Sequence, residues 1–347
     1  MGRSWFERDD PLIDATHAPA ILLDLARDQG LAAQRLLGGT RLEPDAFESA
    51  GTRLSAAQWL QLVEQADQAL PGHDLAFLFG HRLFPGNQSE VATAWVNAGS
   101  LRQALAVLQQ AEILASPMLA PRLRTTDAGV EVQWEDRIGC GHARRFMLEA
   151  WCTALTSLVN WLSDRRLDWS YRFRHRRPAY VEQYEVHLGS RLEFDAGCDA
   201  MTIGQDMLDQ AWPRHNESGH RQAMQMLAAR LRAQPHRDGF LEMLAAELKR
   251  QIRRPPTLEQ MAAHLHMSPA TLKRKLRLHQ SSYQRLVDAV RRDACERLIR
   301  DRGFSNEQAA TYLNFTDLTN FRRSFKRWTG MTPSEFRRGF TADTPGG

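Results

Sequence analysis

Apolar residues recur at helical spacing through the first third of the chain. Ile21-Leu22-Leu25, Trp59-Leu60-Val63 and Leu101-Leu105-Leu108 are the clearest runs, so residues 12–113 read mainly as helices, without convincing strand alternation. The pattern changes at 121–135. Leu123 and Thr125 alternate with arginines, Asp127-Ala128-Gly129 reads as a turn, and Val130, Val132 and Trp134 alternate with polar residues. That predicts a β-hairpin. A long apolar helix over 143–162 follows, and Leu167, Trp169, Tyr171 and Phe173 alternate as another strand. Pro178 is expected to open a helix ending near Gly189. Short strands are predicted at 192–194 and 201–203, and a helix at 216–233. Helices first, then a small, mainly antiparallel sheet, give an α+β domain over residues 1–235.

Gln234–Gly239 is polar, contains Pro235 and Gly239, and marks the expected domain boundary. Residues 236–340 read as helix throughout, an all-α domain. Residues 341–347 have no core-forming pattern and read as a disordered tail.

Composition adds limits. At one domain per roughly 100–200 residues, 347 residues make two or three domains. Hydrophobic residues are 43% and charged residues 25%, an ordinary globular balance. No run of 18 apolar residues exists, which excludes a transmembrane helix. The start of the chain lacks an apolar stretch of signal-peptide type. Cys140, Cys152, Cys198 and Cys295 are far apart and form no CxxC pair. That usage suits reduced thiols and a cytoplasmic location. Charge is uneven. Residues 250–347 hold 19 Lys and Arg against 9 Asp and Glu, whereas residues 1–249 hold 26 against 32. A basic module on an acidic body points to a polyanion partner for one end only.

The informative feature is an internal repeat. Thr257-Leu-Glu-Gln-Met-Ala-Ala-His-Leu-His-Met-Ser268 lines up with Ser305-Asn-Glu-Gln-Ala-Ala-Thr-Tyr-Leu-Asn-Phe-Thr316. Each copy opens with Ser/Thr-x-x-Gln, a capping box in which hydroxyl and amide satisfy first-turn N–H groups. Each has a small pair (Ala262-Ala263, Ala309-Ala310), a leucine (Leu265, Leu313) and a short turn. A Ser or Thr closes each turn and is expected to cap the next helix, with Pro269 at its first position in copy one. In the following helix Leu272 and Leu276 face inward while Ala270, Lys273, Arg274 and Arg277 form an outward stripe. In the second copy Phe321, Phe325 and Trp328 are the apolar stripe, and Thr319, Arg322, Arg323 and Lys326 the outward one. Helix, turn, basic-faced helix is the helix-turn-helix arrangement, whose second helix enters the major groove. Arginine there can donate two bonds to guanine. Tyr283, Leu286, Val287, Val290, Ala294 and Leu298 are spaced as one helix joining the copies. The motifs are expected at about 257–279 and 305–329, and the linker helix at about 283–302.

On these residues the chain resembles a known family. Leu258-Glu-x-x-Ala262, Met267-Ser-Pro-x-Thr-Leu272-x-Arg274 and Phe325-Lys-Arg-Trp-Thr-Gly-Met-Thr-Pro333-Ser-Glu-Phe-Arg337 make residues 240–338 similar to the DNA-binding domain of AraC/XylS bacterial transcription regulators. Asn314 stands where that family usually has Gly, and Thr316–Asn320 replaces a Ser-rich helix start. Residues 171–212 resemble the arabinose-binding-type effector and dimerisation domain of one branch, on Phe173-x-His175, Pro178, Tyr184, Leu192-x-Phe194 and Leu208. The resemblance implies a homodimeric regulator, with activation the commoner outcome. Its partners would be promoter DNA, RNA polymerase and a small-molecule effector. The DNA-facing set is then Ala270, Thr271, Lys273, Arg274 and Arg277 on one helix, and Leu318, Thr319, Arg322, Arg323 and Lys326 on the other.

Other chemistry is weaker. Cys140-Gly-His142 has no second half with ligand spacing, so no metal is expected. No nucleophile, phosphate-loop or zinc-protease motif occurs, and no cofactor is expected. An enzyme tethered to DNA and a ligand-independent DNA-binding protein are the rival readings. Trp95, Trp134, Trp151, Trp161 and Trp169 are candidates for an apolar ligand pocket, although core packing is the commoner use of such residues.

Overall fold

The computed structural model describes residues 5–341 except 50, 71, 85, 87–88, 127–128, 234–236 and 301. The chain divides into two compact units, Met1–Gly239 and Phe240–Gly347.

The first unit is α+β. It begins with β1 (Trp5–Phe6), β2 (Pro11–Asp14), α1 (Ala18–Asp28), α2 (Ala33–Leu37), β3 (Arg53–Ser55), α3 (Ala56–Ala69) and α4 (Leu75–Leu83). α5 (Ser89–Val96), α6 (Leu101–Gln110) and α7 (Glu112–Ala115) lead into the hairpin β4 (Leu119–Thr126) and β5 (Gly129–Asp136). Then come α8 (Ala143–Ser163), β6 (Ser170–Arg172), α9 (Val181–His187), β7 (Leu192–Glu193), β8 (Ala200–Ile203), α10 (Glu217–Arg232) and β9 (Asp238–Gly239). The main sheet runs β4-β5-β8-β6-β7, antiparallel except for β6 with β7.

The alternation in β5 does what the pattern implies. Val130, Val132 and Trp134 are buried on one face. Glu131, on the other, is also buried and is paired with Arg172 and, at 4.0 Å, with Arg124. Two residues of the hairpin turn, 127 and 128, lie outside the described residues. Gly129 has φ +132°, and a Cβ there would sit 2.0 Å from the Ile203 carbonyl oxygen, so only glycine fits. The 167–173 alternation buries Leu167, Trp169, Tyr171 and Phe173, but ladder pairing covers only Ser170–Arg172. The helix expected to open at Pro178 starts at Val181.

The expectation of helix without strands before residue 113 needs correction. β2 pairs antiparallel with β3 inside that region. Four and three residues are too short to show period-two alternation. Likewise Asp238–Gly239, part of the polar boundary segment, pairs in parallel with Trp5–Phe6. Gly239 is required there by contact, since a Cβ would lie 2.3 Å from the Arg137 carbonyl oxygen. Arg137 is itself fully buried, over the Phe6 ring and hydrogen bonded to the Arg237 carbonyl at 3.3 Å.

α8 is apolar almost all round, as a central helix must be, yet it carries Glu149 at 3% exposure. That carboxylate accepts hydrogen bonds from the Tyr180 hydroxyl at 3.2 Å and from the Tyr184 hydroxyl, with Arg145 Nε 3.8 Å away. Burial pushes its pKa up to about 7, against the pull of the two phenols and the arginine.

The second unit is all helix: α11 (Phe240–Arg250), α12 (Leu258–His264), α13 (Pro269–Leu278), α14 (Tyr283–Arg300), α15 (Asn306–Tyr312), α16 (Leu318–Thr329) and α17 (Pro333–Thr341). Of the expected tail at 341–347, Thr341 closes α17, and residues 342–347 lie outside the described residues. The second core gathers Cys295, Leu298, Ile299, Ala309, Ala310, Leu313, Phe321, Phe325 and Phe336. Arg337 ties α17 to the start of α15 through the Phe304 carbonyl at 2.7 Å and Asn306 Oδ1 at 3.2 Å.

Candidate nucleic-acid interface

The two repeats fold into matching motifs. Thr257 and Gln260 close a reciprocal capping box at the start of α12, and Ser305 and Gln308 do so at α15. Glu259 and Glu307 occupy the same first-turn position in each. Both carboxyls are held below their usual value, first by their own backbone N–H and then by the Thr257 or Ser305 hydroxyl. Ala262, Ala309 and Ala310 are buried, whereas Ala263 is exposed.

The turns also match. In the first, Leu265, His266 and Met267 donate backbone hydrogen bonds to Met261, Ala263 and Ala262. In the second, Leu313, Asn314 and Phe315 donate to Ala309, Thr311 and Ala310. His266 (φ +53°) and Asn314 (φ +57°) are the left-handed residues at equivalent places. Asparagine is among the few side chains that adopt this conformation readily, which explains Asn314 where a glycine is usual.

The repeats then fall out of step by one residue. Ser268 caps α13 two residues after His266, accepting from the Thr271 amide at 3.1 Å. The cap of α16 is Asp317, three residues after Asn314, accepting from the Asn320 amide at 2.7 Å. Thr316, the expected cap, is displaced. A carboxylate is the better acceptor at this position. A start one residue later also keeps Phe321 and Phe325 inward, so they correspond to Leu272 and Leu276 at a spacing of 49.

Past the caps, Ala270, Lys273, Arg274 and Arg277 are exposed along α13, and Thr319, Arg322, Arg323 and Lys326 are exposed along α16. None of the six cations has a hydrogen bond or ion pair among the described residues. The neighbouring cations are engaged: Lys275 lies over the Phe240 ring, and Arg327 pairs with Asp288 of α14 at 3.0 Å. Thr271 is half-buried, its hydroxyl 2.9 Å from that of Ser268. Leu318 is half-buried against the core. Trp328, placed in the apolar stripe, is half-buried beside Phe315. The sequence reading missed Asp317 as a cap, although Asp-x-x-Asn was the signal available. α14 packs against α11, α15 and α16, and Tyr283 Oη donates to the Pro256 carbonyl at 2.7 Å.

Sequence profiles of two families match the chain. The arabinose-binding domain of AraC transcription regulators, N-terminal, matches residues 30–211, and a helix-turn-helix domain matches 261–339. The chain belongs to the AraC family of transcription regulators. Among AraC-type relatives, the ornithine utilization regulator of Pseudomonas aeruginosa is 27% identical over 328 residues, 94% of this chain and 96% of that one. The helix-turn-helix regulator GadX of Escherichia coli is 36% identical over 71 residues, 20% of this chain and 26% of GadX. The solved structure of the regulator CdpR from P. aeruginosa is 21% identical, covering 92% of this chain and 96% of that one, with a TM-score of 0.45. This AraC-family chain is therefore a transcription regulator with a DNA-binding helix-turn-helix domain and an arabinose-binding-type domain.

In the arabinose-binding-type unit, a cavity of about 40 Å³ is lined by Trp59, Phe79, Met118, Met147 and Trp151, with Asp14 and His17 also in its wall. Of the five candidate pocket tryptophans, Trp151 lines this cavity and shares a smaller one with Trp95. Trp134 and Trp169 are buried in the core, and Trp161 is 48% exposed. Burial lowers the His17 pKa, against the pull of Asp14. Among the described residues no group of three or more His, Cys, Asp or Glu is placed to hold a metal, and no helix is long and apolar enough to cross a membrane.

Proposed function

We propose that α13 and α16 enter successive major grooves on one face of promoter DNA. Arg274 and Arg323 lie mid-stripe as the candidates for guanine contacts, and the other exposed cations neutralise phosphates. The observation that carries this reading is the pair of stripes at equivalent helix positions. Both are exposed, neither makes an ion pair among the described residues, and the two motifs are joined by the single helix α14. One chain then covers two short boxes roughly 10 base pairs apart. Insertion of five base pairs between the boxes moves one to the opposite face. The full-length protein, titrated at fixed salt on a DNA bearing a single pair of boxes, should lose specific affinity on that insertion. Unchanged affinity rules the two-groove arrangement out.

In this reading residues 1–235 bind a small-molecule effector and dimerise, residues 236–340 bind DNA, and the ligand-bound homodimer activates transcription with RNA polymerase in the cytoplasm. The apolar cavity beside Asp14 and His17 supports an effector with an apolar body and a polar end, and at about 40 Å³ it must open to admit one. The name of the ornithine utilization regulator makes amino acids the first panel to test. A true effector raises the melting temperature and changes promoter affinity, because it acts only through its differential affinity for two states. Sedimentation checks the dimer, and in vitro transcription checks the sign.

A further inference from the structure

The first turn of α16 carries a polar side chain that the outward stripe leaves out. At the spacing of 49 that sets Phe321 against Leu272, Asn320 is the counterpart of Thr271. The two differ in exposure and in what holds them. Thr271 is half-buried, with its hydroxyl 2.9 Å from that of Ser268. Asn320 is exposed, and Asp317 holds it twice. Asp317 Oδ1 accepts from the Asn320 backbone amide at 2.7 Å, and Oδ2 accepts from the Asn320 side-chain Nδ2 at 2.6 Å. Leu318, in the same turn, is half-buried against the core and offers no polar group.

The second bond decides which way the amide points. A carboxylate has no proton to give, so the edge facing Asp317 is the NH₂ edge; the reverse would set two acceptors against each other. Nδ2 carries two protons. One goes to Asp317. The other stays beside Oδ1, a donor next to an acceptor, and neither is bonded elsewhere among the described residues. In the major groove guanine shows two acceptors, cytosine a donor, and thymine an acceptor and a methyl group. Adenine alone sets a donor, N6, beside an acceptor, N7. We propose that Asn320 reads adenine in the box entered by α16, and that Asp317 is its positioning residue as well as the helix cap. An amide held in place before DNA arrives has less side-chain freedom to lose on binding. Asn320 lies three residues, about 4.5 Å of helix rise, from Arg323. The adenine therefore falls within about two base pairs of the guanine assigned to Arg323. Thr271 has no amide, so the box read by α13 lacks this requirement, and the paired boxes are unequal. The inference rests on the reading of α16 as a groove-entering helix given above.

The test starts with full-length protein selecting from a random duplex library at fixed salt, wild type and Asn320→Ala in parallel. One position in one box should prefer adenine about tenfold in wild type and accept any base in Asn320→Ala. At that position 7-deazaadenine, which lacks N7 but keeps its base pair, should weaken wild type about fivefold and the variant not at all. Asp317→Ser retains a capping oxygen but loses the carboxylate that holds the amide. Its circular dichroism melt should match wild type while its adenine preference falls to about twofold or less. If Asp317→Ser melts early, Asp317→Thr replaces it. Identical selection by wild type and Asn320→Ala, a lost preference at a position that is not A·T, or indifference of wild type to 7-deazaadenine overturns the adenine reading. Uniform weakening of Asn320→Ala on all sequences makes the residue a phosphate contact and also overturns it. Full adenine preference in a folded Asp317 variant overturns the positioning role. Boxes that tolerate the five-base-pair insertion fault the two-groove arrangement instead, and the dependence of an adenine on residue 320 is scored separately from that result.

Discussion

Glu149→Gln is the most demanding test of the first unit's chemistry. The wild-type carboxyl is buried and raised from 4.5 to about 7, burial being the larger cause. The folded state therefore holds a proton that the unfolded state releases. The sign follows from linkage: this group favours folding fully below about pH 4.5, and the advantage is lost as pH rises through 7. At 1.36 kcal/mol per pKa unit, the swing is about 3 kcal/mol. Glutamine is neutral throughout and removes the dependence. It also alters the hydrogen bonds from Tyr180 and Tyr184, which adds an offset that does not vary with pH. The measured quantity is thus the difference between wild type and variant, not either alone. Eight of the nine tryptophans lie in residues 1–239, so urea melts followed by tryptophan fluorescence report on this unit. Between pH 5 and pH 8 the variant should gain stability relative to wild type by about 2.5 kcal/mol, about half of it below pH 6. His17, His81 and His187, all lowered chiefly by burial, destabilise both proteins alike on acidification and cancel in the difference, whereas His175, 3.1 Å from the Tyr184 hydroxyl, belongs to the Glu149 cluster. A flat difference across that range would refute the raised carboxyl.

Three further outcomes follow from geometry. Arg274→Ala should cost about 1–3 kcal/mol of specific binding and relax preference at one base position, without moving the melting temperature; uniform weakening on all sequences would show a phosphate contact. Asp317→Ala should destabilise the second unit by about 1 kcal/mol and Thr316→Ala by much less, and equal costs in thermal melts would return the cap to Thr316. Gly239→Ala forces a methyl against the Arg137 backbone, so limited proteolysis should cut faster around residues 234–240; an unchanged digestion pattern would mean that the seam relaxes freely.

The second unit was legible because its signals are local. Thr257-x-x-Gln260 and Ser305-x-x-Gln308 announce helix starts within four residues, and Leu272, Leu276, Phe321 and Phe325 fix which face turns in. The one-residue slip after Asn314 is easily missed, since aligning the copies at constant spacing puts Thr316 opposite Ser268. Asp317-x-x-Asn320 and the inward register of Phe321 both mark the later start. In the first unit the hairpin was readable from Val130, Val132 and Trp134. The pairs β1 with β9 and β2 with β3 were not, because two to four residues carry no period and their partners are up to about 230 positions away. The buried Glu149 looked like any helical glutamate. Its environment comes from Tyr180 and Tyr184, which the fold brings in from 31 and 35 residues away.

The pairing of Trp5 with Asp238 brings the two ends of the first unit together. Neighbouring strands lie about 4.8 Å apart, so the unit closes where it began. A domain built this way can be re-cut: a short glycine-rich bridge from residue 239 to residue 5 and new ends in an exposed loop would leave its core unchanged. The same closure makes the unit a portable cassette, able to enter a host loop through two adjacent points.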